Sequence, residues 1–215
     1  MKTCTTILLA SLVLTACSSN VTVQAPTVSV MDFGSQTKIK GNYAVWLQSG
    51  AWKTTVEARG FTCSGWEFPT DFDNAYQQAA QSAFQSSFEK VSFTPNTLKP
   101  DELIVQNFDA QIIVYQGSIN SAFSVSTGFF TSAMQAEVNM DGTVAVIGHS
   151  GVTHQGTARG SGIGVKGSAM SCNAVGDAIM QAGGIAIKDF VVATVDAAKL
   201  NVLESRAKTA VAVPD

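Results

Sequence analysis

The chain is poor in charge, and this shortage excludes several functions. Only 13% of its 215 residues are charged, about half the usual share. Lys2 is the only charged residue before Cys17, so the chain from Cys17 onward holds 12 basic and 16 acidic residues, a formal charge of −4. This balance offers no electrostatic surface for nucleic acid or for an anionic membrane. Uncharged polar residues take the place of charge, as is common in exported proteins and in surfaces that a partner covers.

The N-terminal apolar run is too short to cross a bilayer, which needs about 20 residues. Lys2 precedes this run, which extends from Ile7 to Leu14. The pattern predicts that residues 1–16 are a secretion signal and not an anchor helix. The alternatives are a generic signal peptide, which is cut near Ala16 without lipidation, and a buried N-terminal helix.

Small residues and a cysteine follow the apolar run. The tetrapeptide Leu14-Thr15-Ala16-Cys17 is similar to the lipobox of bacterial lipoproteins. In that family the cysteine is acylated and the chain is cut just before it, so the resemblance implies a lipidated Cys17 that holds the protein on a membrane. By the sorting rule of the family, Ser18 implies delivery to the outer membrane, facing the periplasm. The polar residues 17–27 are expected to form a lipidated tether.

Cysteine is scarce beyond the signal. Cys4 leaves with the signal and Cys17 carries lipid, so Cys63 and Cys172 remain. In an oxidising periplasm they are expected to form one disulfide, which closes a loop of about 110 residues. Two buried free thiols are the alternative. Neither cysteine has a histidine or a second cysteine at ligand spacing, so no metal site is expected.

The hydrophobic pattern predicts one periplasmic α+β domain over residues 28–203 and a flexible tail over 204–215. Apolar residues recur at helical spacing from Tyr76 to Val91 and from Val175 to Leu200. This spacing predicts two amphipathic helices, the first of them capped by Thr70. The pair Gly183-Gly184 predicts a bend or a close contact within the second helix.

Strands are predicted before and between these helices. Alternation and apolar runs favour strands at 28–33, 43–47, 52–58, 110–119, 123–140 and 143–154. Asp141-Gly142 is a hairpin-turn signal between the last two strands. The glycine-rich residues 156–167 are expected to form a flexible connector. Together these patterns predict an antiparallel sheet of about four to five strands with the two helices packed on one face.

Two motifs have the form of functional signatures. Gly162-Ile-Gly164-Val-Lys-Gly167 matches G-x-G-x-x-G, but the predicted order lacks a parallel βαβ unit, so no cofactor is expected. Gly148-His149-Ser150-Gly151 is similar to the nucleophile elbow of esterases, although Val152 stands where a glycine belongs. Adjacent strand residues face opposite sides, which separates His149 from Ser150, and His154 is too distant along an extended strand. We therefore expect polar strand residues and no catalytic triad.

Carboxylates and aromatic residues also have structural explanations. Helix capping accounts for Asp71 and Asp73, and a solvated loop for Asp101 and Glu102, so no glycosidase pair is indicated. We expect the tryptophans to pack in the core, in preference to forming an exposed patch that binds a partner or glycan. These residues are Trp46, Trp52 and Trp66. The hairpin of residues 123–154 is long enough for a membrane pore, but its alternation is equally typical of a half-buried soluble sheet, which we favour.

Element order adds a second resemblance. Behind the lipobox, the chain looks like a small bacterial outer-membrane lipoprotein of the YajG-type or transport-auxiliary kind. The segment from about Phe72 to Leu200 also resembles the periplasmic α/β core of the curli-secretion lipoprotein CsgG, through residues 108–117, the Asp141-Gly142 pair and the small-residue final helix. The resemblance implies an assembly or accessory subunit of an envelope complex. Apart from Cys17, it transfers no functional residue.

The sequence therefore predicts a non-catalytic lipoprotein on the periplasmic face of the outer membrane. Its sheet face or sheet edge would bind a protein partner or a second copy of the chain. A carrier or sensor of a small apolar ligand, bound between sheet and helices, is the alternative. An envelope hydrolase is the third hypothesis.

Overall fold

The computed structural model describes residues 17–27, 37–59, 63, 65–127, 132–151, 153–167 and 172–211. The helices are α1 (Asp73–Ser87), α2 (Pro100–Val105) and α3 (Asn173–Val211). The strands are β1 (Cys17–Ser18), β2 (Val21–Thr22), β3 (Ile39–Leu47), β4 (Lys53–Ala58), β5 (Trp66–Asp71), β6 (Phe88–Phe93), β7 (Ala110–Thr127), β8 (Ser132–Gly148) and β9 (Thr153–Gly167). The predicted strand at 28–33 lies outside the described residues.

The described strands form a curled, nine-stranded mixed sheet, so the predicted antiparallel sheet of four to five strands is wrong. Strands β7, β8 and β9 are antiparallel neighbours. Along the other edge of β7, β3 and then β4 lie parallel to it, and β6 lies parallel to β3. A parallel pair needs a crossover connection, which β4, β5 and α1 supply between β3 and β6. Side-chain alternation shows which face of a strand is buried but not the direction of its neighbour.

The predicted turn at Asp141-Gly142 is also wrong, because β8 runs through it without a break. A bulge in β7 faces this point. The Asp141 carboxylate accepts hydrogen bonds there from the Ser118 N–H (2.8 Å) and hydroxyl (2.6 Å), which lower its pKa. A side chain on Gly142 would collide with the Phe190 ring. The two residues therefore fit β8 to its neighbours and do not reverse the chain.

The predicted connector over 156–167 is instead most of β9, and its glycines bring it against α3. Every second residue in its centre is a glycine, at positions 160, 162 and 164. A Cβ on these residues would overlap carbonyl oxygens of α3, which belong in turn to Ala186, Ala182 and Ala178. Two strand residues advance by about 6.6 Å and four helix residues by about 6 Å, so strand and helix stay in step.

Helix α3 forms the centre of the core and packs on β2, β7, β8, β9 and α1. Its portion Asn173–Arg206 is long and apolar enough to cross a membrane by composition alone, but 56% of its most apolar window is buried in the protein. Core packing therefore accounts for its apolar residues. The helix continues through 204–211, part of the predicted flexible tail, and residues 212–215 lie outside the described part of the chain.

Helix α1 matches the first predicted helix but ends at Ser87, and the next residues form β6. Thr70 lies in β5, so its predicted capping role is wrong. The Asp71 carboxylate instead accepts the N–H of Asp73 at 2.9 Å.

Residues 17–27 are built into the fold and do not form the predicted tether. Strand β1 begins at Cys17, which lies opposite Trp66 in a parallel pair with β5, and β2 pairs further along β5. Val21 and Val23 are buried in the core. The N-terminal segment is thus fixed by strand pairing and by apolar packing.

The predicted disulfide is confirmed. Cys63 and Cys172 are bonded, with their Cα atoms 5.8 Å apart. The bond joins the segment before β5 to the residue before α3, across 109 positions of sequence. It lies toward the same end of the sheet as Cys17, because Cys17 is paired with Trp66.

Candidate functional site

A cavity of about 630 Å³ opens at the opposite end of the sheet, where β7 begins, β8 ends and α3 reaches its last turns. Its polar lining residues come from four elements or the segments beside them and are Tyr43, Asp109, His149, Ser150, Ser205 and Arg206. Four chain segments that are distant in sequence therefore bring ionisable and hydroxyl groups to one concave surface.

Gly41 makes room for the polar side of the cavity. Its φ of +124° lies in a region that residues with a Cβ rarely adopt. A Cβ at this position would lie within 3.0 Å of Asp109 Oδ2, Arg206 Nη2 and Tyr43 Oη. The glycine thus allows a carboxylate, a guanidinium and a phenol to gather around one main-chain position.

The Tyr43 side chain is buried beside this glycine. Its hydroxyl donates to the Lys40 carbonyl (2.8 Å) and accepts from Arg206 Nη2 (2.6 Å). Burial raises the pKa of Tyr43 to about 12. The Arg206 charge acts in the opposite direction, whereas Asp109 and Glu89 act in the same direction as burial. Tyr43 is therefore a neutral, fixed hydrogen-bonding group at neutral pH.

The two charged residues are each oriented by the main chain. Asp109 Oδ2 accepts the Asn42 N–H at 2.7 Å, and Arg206 Nη2 donates to the Lys40 carbonyl. Asp109 and Arg206 are both exposed. Among the ion pairs of the described residues, none joins these two side chains. Opposite charges thus face the same cavity without neutralising each other directly.

The sequence candidates His149 and Ser150 lie at the rim of this cavity, but His154 does not line it. His149 Nε2 is 2.6 Å from the Phe108 carbonyl oxygen, so Nε2 must carry the proton that this contact shares. His154 is only 8% exposed, and its Nδ1 lies 3.6 Å from Glu204 on α3. The two histidines therefore belong to different parts of the molecule.

The glycine motif at 162–167 lies in β9, and its Gly162 and Gly164 contact the α3 backbone. In a phosphate-binding loop, these glycines would instead open a helix. The motif therefore serves strand–helix packing.

The predicted carboxylate pairs have local partners. Asp71 pairs with Lys53 at 3.1 Å, while buried Asp73 accepts a hydrogen bond from Gln116 at 2.7 Å. Glu102 accepts the Lys99 N–H at 2.6 Å and caps α2. In the described part of the chain, no group of three or more His, Cys, Asp or Glu residues is placed to hold a metal ion.

The three tryptophans do not share one site. Trp52 is buried between Tyr76 and Phe190, with ring centroids 5.0 and 4.8 Å away. Trp66 stacks on Phe68 at the core boundary. Trp46 is partly exposed and packs edge-on against Tyr115.

Asp109 and Arg206 were not among the sequence candidates. Asp109 precedes a predicted strand and Arg206 falls in the predicted tail, so neither has a local motif. The one available signal is Gly41, a glycine within a strand, which often marks a close approach of other groups.

Comparisons with known proteins found similarity only among solved structures; no family model and no curated sequence matches the chain. A DUF330 protein from Xanthomonas campestris is 13% identical, with 86% of this chain and 99% of that one covered and a TM-score of 0.41. A putative neuraminyllactose-binding hemagglutinin homologue from Helicobacter pylori is 10% identical, with 83% and 94% covered and a TM-score of 0.43. A PelC dodecamer from Paraburkholderia phytofirmans is 10% identical, with 74% and 93% covered and a TM-score of 0.28. At these identities and TM-scores, the similarities assign neither a family nor a function.

Proposed function

We propose that the protein is a lipoprotein anchored through Cys17 on the periplasmic side of the outer membrane, where it serves as a non-catalytic accessory or assembly subunit. The observation that carries the proposal is the position of β1. Cys17, the residue at which lipobox processing would start the mature chain, is itself paired with Trp66 of β5, and Val21 and Val23 are buried in the core.

This arrangement also orients the domain. When the strand registers are followed across β5, β4 and β7, Cys17 lies at the same height in the sheet as Ala136 of β8. The cavity lies beside Gly148, at the end of β8. Twelve strand residues span about 40 Å. With no free tether between the lipid and the sheet, the cavity is held on the far side of the domain from the membrane.

A non-catalytic role agrees with the local partners of the candidate groups. His149 shares its Nε2 proton with a carbonyl, and the two carboxylate pairs serve α1 and α2. The alternative of an apolar ligand held between sheet and helix finds no support at the α3–β9 contact, where helix carbonyls occupy the space beside the β9 glycines.

The anchor is tested by Cys17→Ser, with Cys4→Ser as the matched control because it leaves the Leu14–Cys17 tetrapeptide intact. We expect the Cys17 variant to lose incorporation of a palmitate analogue and to leave the membrane fraction, and the Cys4 variant to behave like the parent. Ser18→Asp should shift the protein to the inner membrane. A Cys17→Ser chain that is processed and fractionates like the parent would contradict the proposal.

The accessory role is tested separately by native mass measurement of the parent protein in mild detergent extracts of membranes. We expect a complex larger than one lipidated chain with its micelle. A strictly monomeric protein that retains its anchor would refute the accessory role and leave the lipoprotein assignment intact.

A further inference from the structure

Two opposite charges at the cavity are fixed separately and remain available to a third group. The Asn42 N–H holds one oxygen of Asp109, and the Lys40 carbonyl and Tyr43 hydroxyl hold one nitrogen of Arg206. A guanidinium carries five N–H donors and an ionised carboxylate about four acceptor positions, so each group has capacity beyond these contacts.

The two groups are also close to each other. Both approach within 3.0 Å of the same point, the position of a Cβ on Gly41. A ligand that carries both charges a short distance apart can therefore contact both at once. The ammonium and carboxylate of an α-amino acid are joined through a single carbon and meet this requirement.

We infer that the cavity binds a small zwitterion of the α-amino acid type, with Asp109 contacting its ammonium and Arg206 its carboxylate. The rest of the cavity suits an aliphatic side chain, because Ala110, Val146 and Val202 contribute apolar lining. Its volume of about 630 Å³ also leaves room for a side chain or a second residue.

The first test uses the ligand and leaves the full-length protein unchanged. Isothermal titration of the lipidated chain in detergent micelles compares L-leucine with N-acetyl-L-leucine, which lacks the ammonium, and L-leucinamide, which lacks the carboxylate. We expect leucine to bind and each blocked form to bind at least about tenfold more weakly, since each loses a charge-assisted contact. Equal affinity for leucine and either blocked form, or no binding of leucine at about 10 mM, would overturn the inference.

The second test assigns the contacts. Asp109→Asn should remove the preference for leucine over the N-acetyl form, and Arg206→Gln the preference over the amide. Arg59→Gln is the matched control, because Arg59 is also an exposed arginine but pairs with Glu137 near the other end of the sheet. Thermal unfolding confirms that each variant is folded. A loss of affinity in Arg59→Gln equal to that in Arg206→Gln would refute a role for Arg206 in the site.

Discussion

The middle of α3 and its C-terminal turns face the sheet in different ways, although glycines occupy the sheet positions in both regions. In the middle, a Cβ on Gly162 or Gly164 would overlap the helix backbone. Toward the C-terminus, a Cβ on Gly156 would lie 3.4 Å from the Ala197 side chain, and one on Gly148 would lie 3.6 Å from Ser205 Oγ. The helix therefore moves away from the sheet along its length, and the cavity opens where the separation is larger.

Phe190 lies between these two regions. Its ring contacts Trp52 and Tyr76, and the space for it comes from Gly142 and Gly160. The helix backbone still reaches the sheet here, because a Cβ on Gly160 would lie 2.6 Å from Phe190 N. Beyond it, the sheet glycines face the side chains of Ala197 and Ser205, so Phe190 marks the end of the closed region.

The largest effect is expected from filling the closed region. Gly162→Ala places a methyl group against the Ala182 carbonyl, so either the strand or the helix must shift. We expect the free energy of unfolding, measured by urea denaturation, to fall by about 3 kcal/mol.

Gly156→Ala is the matched control, because the two glycines share one strand and one face. There the new methyl group meets ordinary van der Waals contact, and alanine disfavours the unfolded chain, so a change within about 1 kcal/mol is expected. Equal destabilisation by both variants would mean that helix and strand do not diverge.

A smaller effect is expected at the open end from Gly41→Ala. The methyl group would adopt an unfavourable φ and press on Asp109 and Arg206, with an expected loss of about 2 kcal/mol. Gly50→Ala separates these causes, since Gly50 has a φ of +96° but no atom within 4 Å of its Cβ position. If Gly41→Ala and Gly50→Ala lower the free energy of unfolding equally, as measured by urea denaturation, the polar groups do not surround Gly41 as described.

Periodicity predicted the buried faces correctly. Met134, Ala136, Val138 and Met140 are buried as their alternation indicates, and the disulfide and both long helices are present. These features depend on local patterns. An apolar residue at every second position indicates a buried strand face, and one at every third or fourth position indicates a buried helix face. The single disulfide follows from having only two cysteines to pair.

Glycine misled the prediction of strand ends. A glycine is favoured both in a turn and where another backbone approaches closely, and only the packing partner distinguishes the two. At Gly142, and at glycines 156, 160, 162 and 164 of β9, α3 is a packing partner, and the residues of α3 in contact lie 14 or more positions further along the chain. The site was missed for the same reason, because Asp109 and Arg206 meet through the fold and share no local spacing.

The smallest effect is expected from pH, at the phenol that borders the cavity. The pKa of Tyr43 is raised from 10.0 to about 12, chiefly by burial, so the native state keeps this proton at a pH where the unfolded chain has lost it. The stabilisation is complete below pH 10 and is lost as pH rises towards 12. Between pH 10 and 11 the parent should therefore lose about 1 kcal/mol more than Tyr43→Phe, as measured by urea denaturation at each pH. The same alkaline slope in both proteins would show that the phenol ionises as freely in the fold as in the unfolded chain, and the cavity end would then be open around Tyr43 as well.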